Sequence, residues 1–91
     1  MVNVAIVGAG FMGKTHLAAY QAMKNVKVTA VCDLGEAAGR ALAEAAGCPW
    51  YADGEAMLAG APVDVVDICL PPFLHEQYVL LAARNKKHVI C

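Results

Sequence analysis

Three glycines at positions 8, 10 and 13 follow directly on the apolar run Val2–Val7, and a helical pattern begins immediately after them. An apolar run closed by glycine reads as a buried strand ending in a tight turn. The spacing G-x-G-x-x-G between a strand and a helix constrains the fold more than any other feature of the chain. In that setting Gly8 permits the turn, Gly10 lets a pyrophosphate approach the backbone, and Gly13 lets the helix lie close to the strand. The pattern also calls for an acid at the end of the next strand. Asp33 stands there, twenty residues past Gly13.

The rest of the chain repeats the strand–helix alternation. The pattern predicts strands at Val2–Val7, Val26–Cys32, Trp50–Tyr51, Val63–Leu70 and His88–Cys91, and helices at Phe11–Lys24, Leu34–Ala46, Asp53–Leu58 and Phe73–Arg84. Met12, His16, Ala19 and Met23 recur at helical spacing and predict the inward face of the first helix. Gly47 is placed to close the second helix, Asp53 to cap the third, and Asn85 to cap the last. Gly39 weakens the second helix unless the sheet packs close against it. Pro71-Pro72 ends the fourth strand, since neither residue donates a ladder hydrogen bond. Strands apolar on both faces, alternating with helices, imply an α/β fold with a covered parallel sheet. Right-handed crossovers favour the doubly wound Rossmann order 3-2-1-4-5 over residues 1–91, stopping after the fifth strand.

A dinucleotide laid on this turn would rest its phosphates on the amides of Phe11 and Met12, at the positive end of the helix. Asp33 would accept hydrogen bonds from the adenosine ribose. A carboxylate there repels a 2′-phosphate, which favours NAD over NADP, although Arg40 lies close enough along the helix to reach back. Alternatively Asp33 is only a helix cap. The same stretch also satisfies G-x-x-x-x-G-K-[ST], in which Lys14 would reach the phosphates of a nucleoside triphosphate and Thr15 would hold magnesium. That motif explains neither Gly10 nor Asp33, and Lys14 and Thr15 otherwise read as solvated helix residues. Leu70, Pro71, Pro72 and His75 follow the fourth strand at the switch point of the sheet, where they would wall the nicotinamide side. The alternative there is a rigid helix entry with His75 packed or facing solvent.

Taken together, GAGFMGKTH with Tyr20, then Cys32-Asp33, then DVVDICLPP with His75, then KHVIC resemble the amino-terminal domain of the glucose–fructose oxidoreductase, inositol dehydrogenase and rhizopine-catabolism oxidoreductase family. The resemblance spans nearly the whole chain. It implies a nicotinamide cofactor contacted by Gly8, Gly10, Phe11, Met12, Gly13, Asp33, Leu70, Pro71, Pro72 and His75. It also implies hydride transfer to or from a hydroxyl carbon of a sugar, a cyclitol or a related substrate. The lysine that acts on that hydroxyl in the family belongs to a Glu-Lys-Pro segment that would follow Cys91. No catalytic residue is therefore assigned within residues 1–91. The family's substrate domain is expected beyond this stretch, and residues 1–91 are expected to bind the cofactor without turnover. A free-standing NAD(H)-binding or sensing module is the alternative.

The remaining residues constrain partners. A net charge of −1 leaves no basic face for nucleic acid, and no apolar run approaches the roughly 20 residues of a membrane span. Arg84, Lys86 and Lys87 read as cations at a helix end. Cys32, Cys48, Cys69 and Cys91 show neither a metal spacing nor a disulfide framework, so reduced thiols in the cytoplasm are expected. His16, His75 and His88 are not spaced as metal ligands on one element. Asp67 falls inside a buried strand and reads as a hydrogen-bonded structural acid, with acid–base work as the alternative. His16 is open between holding the cofactor and bracing the core, and His88 has no role. Tyr20, Tyr78, Met23 and Met57 read as packing residues. An unpaired edge at the fifth strand is where a homo-oligomer would form.

Overall fold

A computed structural model describes residues 1–91. Strands β1 (Val2–Val7), β2 (Val26–Cys32), β3 (Trp50–Tyr51), β4 (Val65–Ile68) and β5 (His88–Ile90) alternate with helices α1 (Phe11–Gln21), α2 (Glu36–Ala46), α3 (Gly54–Gly60) and α4 (His75–Arg84). The five strands form one parallel sheet in the order β3-β2-β1-β4-β5. This is the expected doubly wound Rossmann arrangement.

Alternation along the central strands divides the core in two. Ala5 and Val7 of β1, Val66 and Ile68 of β4, and Met57 and Ala82 form one cluster with the face carrying α3 and α4. Ile6, Val28, Val31, Leu17, Leu42 and Ala43 form the other beneath α1 and α2. The β1–β2 register slips between Val4 and Ala5, which pair with Val28 and Ala30. Thr29 is the extra residue of this bulge, and its buried hydroxyl donates to the Pro62 carbonyl at 2.6 Å. The close packing that would account for Gly39 is present: a Cβ there would meet the Trp50 indole at 2.2 Å.

Several boundaries depart from the sequence reading for local reasons. Helix α1 ends at Gln21 and not at Lys24, capped by Ala22. Its buried face is Gly13 and Leu17, with Tyr20 partly buried. Met12 and Met23 are about half exposed and Ala19 is exposed. The expected stripe was one residue off because glycine, though apolar in no obvious sense, occupies the closest contact. Met23 is accordingly not a core residue. Strand β4 is trimmed to Val65–Ile68, and a 3-10 turn over Pro72–Leu74 precedes α4. Asp53 caps α3 as expected, accepting from the Ala56 amide at 3.1 Å.

Candidate functional site

The carboxyl ends of β1 and β4 part around the start of α1, where the sheet's winding reverses. Gly8 has φ +108°, and a Cβ on it would lie 2.4 Å from the Cys69 carbonyl oxygen. A Cβ on Gly13 would lie 2.1 Å from the Gly8 carbonyl oxygen. Both contacts are with backbone, so neither position admits a side chain without moving α1 or β4. Gly10 is different. It has φ −81°, which any residue adopts, and a Cβ there would meet no protein atom within 4 Å. Nothing in the fold requires glycine at position 10.

The amides of Phe11, Met12 and Gly13 find no acceptor within the chain, as the geometry of a helix start dictates. Lys14 bonds the Gly10 carbonyl and begins the helical ladder. The turn therefore offers several N–H donors beside the positive end of the helix dipole. The Lys14 side chain is exposed, and the Thr15 hydroxyl donates to the Phe11 carbonyl at 3.0 Å within the helix. Both stand on the first turn of α1.

Asp33 follows β2 directly and leans toward the turn. Its Oδ2 accepts from the Ala9 amide at 2.7 Å and its Oδ1 accepts from the Gly35 amide at 2.7 Å. The helix-cap alternative thus takes another form. Gly35 is the N-cap of α2, and Asp33 makes a turn two residues ahead of it. Two amide bonds leave each carboxylate oxygen further acceptor capacity. Arg40 is engaged elsewhere, donating to Glu36 at 2.7 Å and lying 4.7 Å from the centre of the Trp50 ring.

A cleft of about 560 Å³ opens between the start of α1 and the loop after β4. Gly10, Phe11, Met12, Leu70, Pro71 and His75 all line it, together with His16, Ile68, Cys69 and Cys91. Gly8, Gly13, Asp33 and Pro72 do not line it: Asp33 is tied to the turn through the Ala9 amide, and Pro72 is exposed on the loop. The His75 Nε2–H donates to the Leu70 carbonyl at 2.6 Å, so this histidine both braces the loop and contributes to the wall. Phe11 and Phe73 are each more than 80% exposed.

Sequence reasoning did not foresee the cluster below the cleft. Asp67 Oδ2 accepts from Tyr20 Oη and from His16 Nδ1, both at 2.6 Å, and Cys69 Sγ donates to Oδ1 at 3.5 Å. Burial, and then the Asp67 carboxylate, push the Tyr20 hydroxyl well above its ordinary value. Burial and Asp67 likewise push the Cys69 thiol up to about 12. Tyr20 is thus a donor to a buried acid and more than a packing residue. The spacing of His16 four residues before Tyr20 on one helix face was the available signal. What it lacked was the strand residue it would meet, fifty-one positions away.

A glycine turn feeding a helix, an acid closing the neighbouring strand and a cleft at the switch point together define a nucleotide-binding α/β protein. The sequence profile described as "Oxidoreductase family, NAD-binding Rossmann fold" matches residues 2–91, and the chain belongs to that family. Among curated relatives, 2,7-anhydro-N-acetylneuraminate hydratase of Escherichia coli K12 is 36% identical across 100% of the chain and 24% of its own length. Inositol 2-dehydrogenase of Rhizobium meliloti is 34% identical across 99% of the chain and 27% of its own length. The WlbA dehydrogenase of Bordetella pertussis, solved in complex with NADH and UDP-GlcNAcA, superposes with a TM-score of 0.90. It is 26% identical, over 97% of this chain and 27% of that one. The chain spans about a quarter of the length of these relatives. No helix is long and apolar enough to cross a membrane.

Proposed function

We propose that this chain is the cofactor-binding portion of an NAD-dependent oxidoreductase acting on a hydroxyl carbon of a sugar, a cyclitol or a related substrate. The pyrophosphate is held by the amides of Phe11, Met12 and Gly13, with Gly10 giving it access to the backbone and Gly8 setting the turn. Asp33 accepts from the adenosine ribose hydroxyls, and its charge disfavours the extra phosphate of NADP. Leu70, Pro71 and His75 bound the nicotinamide side. When bound, the nicotinamide supplies a hydride acceptor or donor. The residues of this chain bind and orient it, and keep water from one face of the cleft.

The observation that carries this reading is Gly10, a glycine that the fold leaves free, placed between unpaired amides and a carboxylate anchored by Ala9. The inositol dehydrogenase name and the NADH and nucleotide-sugar contents of the WlbA crystal favour the substrate class. Titrating NADH and NADPH into the chain, followed by nicotinamide fluorescence, tests it. Saturable NADH binding, tighter than NADPH, is expected, and equal affinity would remove Asp33 from the site. A second reading is cofactor binding without net oxidation of the substrate. It is favoured by the E. coli relative, which is named a hydratase. Substrate-dependent accumulation of NADH by the whole protein separates the two.

A further inference from the structure

Asp67 and His16 have no part in the contacts just described. Strand β4 turns Val66 and Ile68 toward α3 and α4, and Asp67 toward α1. Its carboxylate is 0% exposed. A buried carboxylate is costly unless hydrogen bonds replace its water, and here Tyr20, His16 and Cys69 do so. An apolar residue would fill the same space at no such cost, and replacing buried ionic clusters by apolar groups is often neutral or stabilising. The cluster is therefore best explained by what its open end does.

That open end is His16. Its ring is 30% exposed and lines the cleft with Gly10, Met12, Leu70 and Pro71. With the Nδ1–H directed at Asp67, Nε2 is left without a partner in the chain, and an imidazole of that tautomer accepts a hydrogen bond there. His16 lies one helical turn beyond the amides that take the phosphates, against β4. Asp33 lies on the opposite side, beyond β2. A dinucleotide with its adenosine ribose on Asp33 must carry its nicotinamide riboside over the β4 side, past His16.

We propose that His16, oriented by Asp67, is a positioning residue for the nicotinamide half of the dinucleotide, its Nε2 accepting a hydrogen bond from a hydroxyl or carboxamide N–H of that half. This rests on the dinucleotide reading given above. His16, Asp67 and Cys69 also bring three ligand atoms within 4.8 Å, as a divalent ion would require. An ion there needs a Cys69 thiolate, which burial and Asp67 oppose, and needs the Nδ1 proton removed. Orientation of His16 requires neither change.

Two substitutions separate positioning from bracing. Asparagine at position 16 (H16N) keeps a donor where Nδ1–H stands but has no atom at the Nε2 position, whereas glutamine (H16Q) places an amide oxygen near it. NADH and ADP, which lacks the nicotinamide riboside, are titrated into the chain and both variants, and each melting temperature is recorded. H16N is expected to bind ADP as the parent does and NADH roughly 5- to 10-fold more weakly, the worth of one hydrogen bond, with H16Q recovering part of the loss. Should H16N melt early, D67N carries the same comparison, since it leaves Tyr20 an acceptor but no longer fixes the imidazole. Unchanged NADH affinity in H16N, or equal losses for NADH and ADP, overturns the assignment. So does micromolar Zn²⁺ binding that disappears in C69S while NADH binding is untouched. Failure of the parent chain to bind either nucleotide identifies the dinucleotide reading as the error and removes this one with it.

Discussion

Replacing Gly13 and Gly10 by alanine, one at a time, separates what the fold needs from what a ligand needs. A Cβ at position 13 would stand 2.1 Å from the Gly8 carbonyl oxygen, where real Cβ contacts stay beyond 3.0 Å. The atom it meets is backbone and cannot rotate away, so the start of α1 must withdraw by roughly 1 Å, an overpacking that costs about 2 kcal/mol. In a domain of this size that is a fall in Tm of roughly 8–16 °C. At position 10 the new methyl meets no protein atom within 4 Å, and φ is already −81°. Losing glycine at the N-cap costs up to about 1 kcal/mol, and a less flexible unfolded chain offsets about half of that or more. Gly10→Ala should therefore leave Tm within a few degrees of the parent while weakening NADH binding at least about 10-fold, because the methyl occupies the phosphates' approach. Circular-dichroism melting and fluorescence titration on the same samples read both quantities. A Gly13→Ala chain as stable as the parent would refute the packing geometry. A Gly10→Ala chain that binds NADH normally would refute the role given to the turn.

Asp33→Ala should weaken NADH binding and narrow the NADH-to-NADPH preference, and it also removes two amide bonds, so stability should fall by about 1–2 kcal/mol in urea titration. An unchanged preference would count against a ribose contact. Asp67→Ala leaves the Tyr20 hydroxyl and the His16 Nδ1–H facing a cavity, and a loss of about 3 kcal/mol is expected from the urea midpoint; a neutral outcome would mean water already serves the cluster. Burial raises the Cys32 thiol from its ordinary 9.0 to about 11. The folded chain then holds a proton that the unfolded chain releases, so stability is full below about pH 9 and declines as pH rises toward 11. Urea midpoints at pH 8 and pH 10.5 should show that decline, reduced in Cys32→Ala. Among the thiols, exposed Cys91 should react first with a disulfide reagent at pH 8 and buried Cys32 last.

The order of the sheet and the position of the glycine turn were legible because both rest on short-range patterns. β-Branched runs broken by glycine or proline mark strands, and Gly8, Gly10, Gly13 and Asp33 obey a fixed spacing. The buried face of α1 was misjudged because its closest contact is made by Gly13, which hydrophobic periodicity does not weigh. Asp33 was expected either on a ribose or at a helix cap. Its actual bonds to Ala9 and Gly35 depend on how far β1 and β2 lean together, a tertiary quantity. The His16–Tyr20–Asp67 cluster was hidden for the same reason. Each residue was visible alone, and only the pairing of β4 with β1 beneath α1 joins them.

The most direct measurement is an amide ¹H–¹⁵N spectrum of the labelled chain during titration with NADH and, separately, with magnesium ATP. NADH should shift Gly10, Phe11, Met12 and Gly13 first, with Ala9 and Gly35 following through Asp33, and magnesium ATP should shift them only at higher concentration, through the adenosine and phosphates it shares with NADH. Amides at the start of α1 that stay still under NADH, or that respond to magnesium ATP instead, would contradict the assignment of this turn to a dinucleotide.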